Sequence, residues 1–208
     1  MQYWNSDLTE KSWILLQELQ KKYNFILIGG WATYLWTKQQ KSKDIDIIVD
    51  LKELEKLKQE NLIKNDRLKK YELKFEEIDV DIYVPYFSKL TIPIEKIKNY
   101  NSKLQGFNVL SKEALLILKQ GAELDRRNSI KGEKDRIDII SLLFFTDFDY
   151  KIYKSILKEN SKEFLLDELI KLIRNFNDYN SLNLAPNEFK KIKKKITNRT
   201  EKINTYLY

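Results

Sequence analysis

The chain has 208 residues, of which 42% are hydrophobic and 33% are charged, a composition typical of a globular protein with a heavily charged surface. It contains no cysteine and no histidine, which excludes disulfide bonds, thiolate chemistry, histidine general bases and the usual zinc sites. The formal net charge of +7 favours polyanionic partners, although interspersed charges of both signs also serve solubility. Any bound metal would have oxygen ligands, which favours Mg²⁺ or Mn²⁺.

Hydropathy gives no sign of a membrane protein. No apolar run approaches the roughly 18 residues that a membrane span needs. The first residues also lack the pattern of a signal peptide. We therefore expect a cytoplasmic protein with no membrane contact.

Apolar periodicity predicts alternating helices and strands in the first half of the chain. The predicted elements are a helix at 7–22, a strand at 25–28, a glycine turn and short helix at 29–36, a strand at 44–50, a helix at 51–63, and strands at 71–75 and 78–84. Pro85 ends the last strand, because proline cannot donate to a strand ladder. This order predicts a small mixed sheet backed by helices.

The second half of the chain is predicted to be helical. Residues 88–107 have a weak pattern and contain Pro93 and Gly106, which predicts a linker. The predicted helices that follow cover 111–124, 135–145, 149–158, 162–178 and 187–205. We therefore expect an α/β (α+β) domain over residues 1–105 and a helical domain over 106–208. The basic run at 190–195 is predicted to be a solvated helix face, with RNA contact as the lesser alternative.

Pairs of acidic residues mark two of the predicted strands. Side chains alternate across a strand, so Asp44 and Asp46 share one face. Asp79 and Asp81 share a face of the 78–84 strand in the same way. Two carboxylates on a rigid strand beside a glycine turn at a helix start form a plausible site for a divalent cation and a phosphate. Trp31 and Trp36, in contrast, are predicted to be core aromatics.

These residues resemble a known signature. The run Ile28-Gly29-Gly30, thirteen further residues and then Asp44-Ile45-Asp46-Ile47 is similar to the motif of the DNA polymerase beta-like nucleotidyltransferase superfamily. The variant with Gly-Gly-Trp-Ala and a basic residue before Asp-Ile-Asp resembles lincosamide-type antibiotic nucleotidyltransferases. It also resembles the toxin-like nucleotidyltransferases of abortive-infection and toxin–antitoxin systems and their archaeal relatives. The resemblance covers roughly residues 24 to 145.

The resemblance implies Mg²⁺- or Mn²⁺-dependent transfer of NMP from an NTP such as ATP. Asp44 and Asp46 would bridge two ions, and Asp81 would supply the third carboxylate, with Asp79 as the alternative. Gly29 and Gly30 would let the backbone approach the triphosphate. Further nucleotide contacts are predicted at Ser42, Lys43, Arg127, Lys131 and Lys134, the last three in the segment LKQGAELDRRNSIKGEKDRIDI.

The acceptor stays open among an RNA 3′ end, a protein and a small molecule such as an antibiotic. A homodimer or a cognate partner protein is also compatible with the sequence. One alternative is a catalytically inactive module of the same fold, which would bind nucleotide or serve as an antitoxin partner. Another is a scaffold protein whose acidic pairs are only surface charge.

Overall fold

The computed structural model describes residues 6–205, which divide into two compact units. The first unit ends at Ser111 and the second begins at Lys112. The strands of the first unit are β1 (Ile26–Ile28), β2 (Ile45–Ile48), β3 (Ile63–Asn65), β4 (Lys70–Phe75), β5 (Ile78–Tyr83), β6 (Asn101–Leu104) and β7 (Phe107–Leu110). Its helices are α1 (Ser6–Lys22), α2 (Gly29–Thr37), α3 (Leu51–Leu57) and α4 (Ile94–Ile97).

The strands of the first unit form one mixed sheet in the order β3-β4-β5-β2-β1-β7-β6. β2 is antiparallel to β1 and parallel to β5, and β7 is parallel to β1. The α/β fold class predicted from the sequence, a small mixed sheet followed by helices, is confirmed. Strands β1, β2, β4 and β5 lie where the apolar pattern predicts them, with a difference of at most two residues at each end.

The predicted linker at 88–107 is wrong. This segment contains α4, β6 and the start of β7, and the β6–β7 hairpin extends the sheet beyond β1. Each strand of the hairpin has four residues, which is too short for a clear period of two. What fixes β7 is a distant partner, since Leu27 of β1 pairs with Val109 and both side chains are fully buried.

The predicted helix at 51–63 is too long. Helix α3 ends at Leu57, and residues 63–65 form the edge strand β3 against β4. Ile63 in this strand is 54% exposed, so burial gives β3 no sequence signal. Pairing with β4 is therefore what makes these residues extended.

One face of the central strands forms the core of the first unit. Ile45 and Ile47 of β2 lie beside Val80 and Ile82 of β5, and all four side chains are fully buried. Helix α1 joins this core through Trp31 of α2, whose indole Nε1 donates to Ser12 Oγ at 2.9 Å. Trp31 is fully buried, which confirms its predicted core role. Trp36 is half-buried and donates from Nε1 to the Leu110 carbonyl.

The second unit is helical, as predicted. Its helices are α5 (Lys112–Arg126), α6 (Ile130–Phe145), α7 (Tyr150–Glu159), α8 (Phe164–Asn175) and α9 (Pro186–Thr205). Helix α6 begins five residues earlier than predicted, because Ser129 caps it by accepting a hydrogen bond from Gly132 N. Among residues 6–205, no helix is both long enough and apolar enough to cross a membrane.

Candidate functional site

A row of paired residues crosses four neighbouring strands beside the glycine turn. Ile28 of β1 is the Cα partner of Asp46 of β2, and Asp46 is the partner of Asp81 of β5. Asp81 is in turn the partner of Glu72 of β4. Paired positions on adjacent strands, which lie about 4.8 Å apart, project from the same face of a sheet. The structure therefore brings Asp46, Asp81 and Glu72 together on one face.

Gly29 fixes one end of this row. It has φ +67°, in the left-handed region, and it begins helix α2 directly after Ile28. A Cβ atom built at Gly29 would lie 2.0 Å from Asp46 Oδ2, so the Asp46 carboxylate occupies the space that a side chain would fill. The sequence predicts that this glycine makes room for a phosphate. In the structure it makes room first for Asp46.

Gly30, Ser42 and Lys43, also predicted at the nucleotide site, belong to the first unit. Gly30 is buried in the first turn of α2, and no side chain caps that helix at Ile28. Ser42 is buried and Lys43 is half-buried in the segment just before β2. The N–H groups at the start of α2 are therefore placed next to Asp46 without a side-chain cap, an arrangement that suits anionic oxygens.

Asp44 and Asp79 lie outside the row. The β2–β5 ladder begins with the pair Ile45 and Val80, so it includes neither of them. Asp44 lies in the bend before β2 and is half-buried, and Asp79 pairs across β4 with Lys74. The strand register therefore favours Asp81 over Asp79 as the neighbour of Asp46.

Lys70 of β4 is part of the site, although the sequence did not predict it. Its Nζ lies 2.6 Å from Asp81 Oδ1 and 3.0 Å from Glu72 Oε1. The Lys70 side chain is 13% exposed and that of Asp81 is 18% exposed, so this is a partly buried ion pair. Lys70 and Glu72 are two residues apart on β4, so both side chains lie on the face of the sheet that carries Asp81.

Electrostatics in this cluster pull in opposite directions. Burial, followed by the negative charge of Asp46, raises the pKa of Asp81 to about 6, against the opposing effect of Lys70. Burial disfavours the charged form of Lys70, but hydrogen bonds to Asp81 and Glu72 outweigh it and raise the pKa of the ammonium. The hydrogen bond from Lys70 lowers the pKa of Glu72. Near neutral pH, Asp81 is therefore mostly ionised at an energetic cost.

Asp46 and Asp81 form a donor set that fits one divalent cation. Both are oxygen ligands, and a cation between them would offset the burial and the repulsion from Asp46 that together raise the pKa of Asp81. Mg²⁺ is usually held by one or two carboxylates, with phosphate and water oxygens completing its shell. Within residues 6–205, no group of three or more acidic side chains is arranged to hold a metal ion. The two facing carboxylates therefore suit an ion that arrives with a phosphate ligand.

Three predicted nucleotide-binding residues belong to the second unit. Arg127 donates to Glu123 Oε2 at 3.1 Å and to Glu168 Oε2 at 2.9 Å. Lys131 is exposed and Lys134 is half-buried, both in the first turns of α6. Arg127 would have to leave two carboxylates to contact a nucleotide, and the role of all three residues stays a prediction.

A buried ion network joins α5 and α6 in the second unit. Lys119 Nζ lies 2.6 Å from Asp138 Oδ2 and 3.2 Å from Asp135 Oδ1, and Arg126 Nε lies 2.7 Å from Asp135 Oδ2. Burial opposes the charge of Asp135, but Lys119 and Arg126 outweigh it and lower the pKa of this carboxyl. These ion pairs give the buried charged residues of α5 and α6 a structural role, which is to hold the two helices together.

A cavity of about 530 Å³ lies at the opposite end of β2. Its lining comes from the start of β1, the residues after β2 and β5, and α4. The lining includes none of the site residues predicted from the sequence. The candidate site is therefore the open carboxylate row at the start of β2, and the cavity is separate from it.

Comparison with known proteins gives distant similarities. No protein-family model and no curated protein sequence matches the chain. The structure is similar to JHP933 from Helicobacter pylori, with 15% identity and a TM-score of 0.47 over 98% of this chain and 97% of that one. It is also similar to a candidate nucleotidyltransferase from H. pylori, with 16% identity and a TM-score of 0.46 over 96% of this chain and 99% of that one. A third similar structure is an antigenic nucleotidyltransferase-like protein from Paracoccidioides brasiliensis, with 17% identity and a TM-score of 0.39 over 80% of this chain and 94% of that one. At such low similarity, any assignment of function has to come from the site itself.

Proposed function

We propose that this chain is a metal-dependent nucleotidyltransferase that transfers NMP from an NTP to an acceptor. The observation that supports the proposal most directly is the pairing of Asp46 with Asp81 on parallel strands, with Asp46 packed on the left-handed Gly29 at the start of α2. Through Asp46, this pair of carboxylates lies beside the start of a helix that has no side-chain cap. Carboxylates for a cation and N–H groups for phosphate oxygens are the two features that nucleotidyl transfer needs.

The bond changes in the proposed reaction are simple. An acceptor oxygen forms a bond to the α-phosphorus of the NTP, the bond from that phosphorus to the bridging oxygen breaks, and pyrophosphate leaves. Mg²⁺ or Mn²⁺, held by Asp46 and Asp81 with Asp44 as a further proposed ligand, would supply the positive charge that stabilises the transition state and the leaving group. In this proposal Asp79 is the alternative to Asp81 as metal ligand, because it lies two residues before Asp81 on the same face of β5.

In the proposed reaction, residues of the chain would bind the phosphate groups, position the metal ligands and accept the proton of the attacking hydroxyl. Gly29 leaves the space that the Asp46 carboxylate occupies, and the first N–H groups of α2, beginning with Gly30, would receive phosphate oxygens. The chain has no histidine, so a strand carboxylate is the most plausible acceptor for the proton of the attacking hydroxyl. Ser42 and Lys43, together with Arg127, Lys131 and Lys134, are proposed as further nucleotide contacts.

The acceptor belongs to the proposal only as a class. An RNA 3′ end, a protein side chain or a small molecule would each present the required hydroxyl, and a homodimer or a cognate partner protein remains compatible. The basic residues of α9 slightly favour RNA, because Lys190, Lys191, Lys194 and Lys195 are exposed. A cytoplasmic location stays a prediction.

The test is transfer of label from each of four α-labelled NTPs, with Mg²⁺ and either total RNA or cell lysate as acceptor. We expect labelled product with the natural chain and a loss of about two orders of magnitude or more with Asp46→Ala. Asp66→Ala is the matched control, because Asp66 is an exposed acid in the turn before β4. Equal transfer by Asp46→Ala and the natural chain would show that this site is not catalytic. Mg²⁺-dependent NTP binding without transfer would favour the inactive binding module instead.

A further inference from the structure

The ion pair between Lys70 and Asp81 differs from the surface ion pairs of the same unit. Lys58 with Glu55, and Lys64 with Asp66, are exposed pairs within one strand, turn or helix. Lys70, in contrast, is 13% exposed and contacts two carboxylates on two strands. Burying an ammonium is costly unless its neighbours compensate, so this position has a specific electrostatic role.

The Lys70 ammonium occupies the coordination position of one Asp81 oxygen. Its Nζ lies 2.6 Å from Asp81 Oδ1, close enough to exclude a second cation from that oxygen. An ammonium has three donors and no acceptor, so it cannot itself be a metal ligand. The second carboxylate that could hold an ion on this side, Glu72, is also in contact with Lys70, at 3.0 Å.

We propose that the Lys70 ammonium takes the place of a second divalent cation, so that the site holds a single Mg²⁺ or Mn²⁺ between Asp46 and Asp81. This inference rests on the proposed function, because it specifies how many ions that reaction uses. The fixed charge of Lys70 replaces the cation that would otherwise lie beside Asp81.

Electrostatic repulsion also favours one ion. A second divalent cation on Asp81 would lie within a few ångströms of the Lys70 ammonium, which is 2.6 Å from Asp81 Oδ1, and like charges at such a distance repel.

The test counts bound ions in the full chain by electron paramagnetic resonance of Mn²⁺. Separate samples contain the α,β-methylene analogues of ATP, GTP, CTP and UTP, with Mn²⁺ in excess. Two Mn²⁺ ions in one active site would lie about 4 Å apart and give a spin-coupled spectrum. We expect the natural chain to give the spectrum of one uncoupled bound ion with at least one of the analogues.

Lys70→Met removes the charge and keeps most of the side-chain length. We expect this variant to bind a second Mn²⁺ and to show the coupled spectrum. Lys74→Met is the matched control, because Lys74 lies on the same face of β4 but is exposed and pairs with Asp79. The control is expected to bind one ion. Lys70→Gln serves as the second variant if tryptophan fluorescence shows that Lys70→Met is misfolded.

A coupled pair in the natural chain would overturn the inference, as would a single ion in both Lys70 variants. Either result would leave the proposed function in place, since metal and nucleotide would still bind. Absence of bound Mn²⁺ with all four analogues would instead overturn the proposed function and the inference together.

Discussion

At the scale of single residues, Asp81 is where the competing forces of the site meet. The Lys70 ammonium lies 2.6 Å away and stabilises the carboxylate, but burial and the charge of Asp46 outweigh it. The pKa of Asp81 therefore rises to about 6 from its ordinary value of 3.8. A carboxyl of this kind holds its proton more tightly in the folded state than in the unfolded state, so its ionisation destabilises the fold.

Asp81→Asn should therefore stabilise the metal-free protein near neutral pH. The folded-state pKa exceeds the unfolded value, so the cost of ionised Asp81 is fully present above about pH 6 and disappears as the pH falls below about 4. We expect the free energy of unfolding to rise by about 3 kcal/mol at about pH 7.5, and to change little at about pH 4.

Urea denaturation in EDTA, followed by tryptophan fluorescence, measures this effect. All four tryptophans lie within the first 36 residues of the chain, so the signal reports on the first unit. Asp79→Asn is the matched control, because Asp79 lies on the same strand and face but is paired across β4 with the exposed Lys74. A less stable Asp81→Asn variant at neutral pH would contradict the electrostatic account.

At the scale of elements, the turn from β1 into α2 builds the site. β1 ends at Ile28, Gly29 reverses the backbone in the left-handed region, and α2 begins at once. The Ile28–Asp46 pairing places the neighbouring strand so close that a side chain at position 29 would overlap the Asp46 carboxylate. One glycine therefore couples the helix start to the position of a proposed metal ligand.

Gly29→Ala should damage both the stability and the activity of the protein. The left-handed φ costs a non-glycine residue about 1 to 2 kcal/mol, and displacement of Asp46 adds to that cost. Gly106→Ala is a matched control, because Gly106 has φ +84° but its added Cβ would lie 3.5 Å from its nearest neighbour, Gln20 Nε2. We expect both variants to lower the urea midpoint, and only Gly29→Ala to abolish nucleotidyl transfer.

The comparison separates backbone strain from displacement of the carboxylate. Strain is common to both glycines, whereas contact with Asp46 belongs to Gly29 alone. If Gly29→Ala retained transfer at the level of Gly106→Ala, the position of Asp46 would not depend on Gly29.

The β4–β5 hairpin shows how much of the site the sequence contained. Both strands were predicted, with the two-residue turn Glu76-Glu77 between them. Such a turn pairs Phe75 with Ile78 and hence Glu72 with Asp81, which is the register observed. The position of Glu72 beside Asp81 was therefore recoverable from the turn length. The contact between Gly29 and Asp46 was not, because it depends on how closely two strands and a helix pack.

At the scale of the molecule, the sheet of the first unit depends on pairing between strands that are distant in sequence. One edge of β1 pairs with β2, which is close by in sequence, and the other edge pairs with β7, about eighty residues later. Phe107, Val109 and Leu110 of β7 are all buried. A boundary between residues 105 and 106, as predicted from the sequence, would remove β7 and expose this edge of β1.

A chain that ends at residue 111 should therefore fold, whereas one that ends at 105 should not. The shorter fragment loses the parallel partner of β1 and the ring contact of Phe107 with Trp13, at 5.6 Å. We expect a cooperative urea transition in tryptophan fluorescence for residues 1–111 and a non-cooperative one for residues 1–105. Identical cooperative transitions for both fragments would show that β7 is dispensable.

The sequence by itself determined the fold class, most helices and the four strands at the centre of the first unit, because their apolar periodicity is local. It also placed Asp46 and Asp81 on strand faces, since alternation requires no knowledge of partners. Tertiary structure alone decided that β6 and β7 complete the sheet, that Asp81 rather than Asp79 pairs with Asp46, and that Lys70 joins them. The physical reason is that short strands, parallel registers and buried ion pairs are stabilised by residues distant in the chain, which leave no periodic signal in the segment itself.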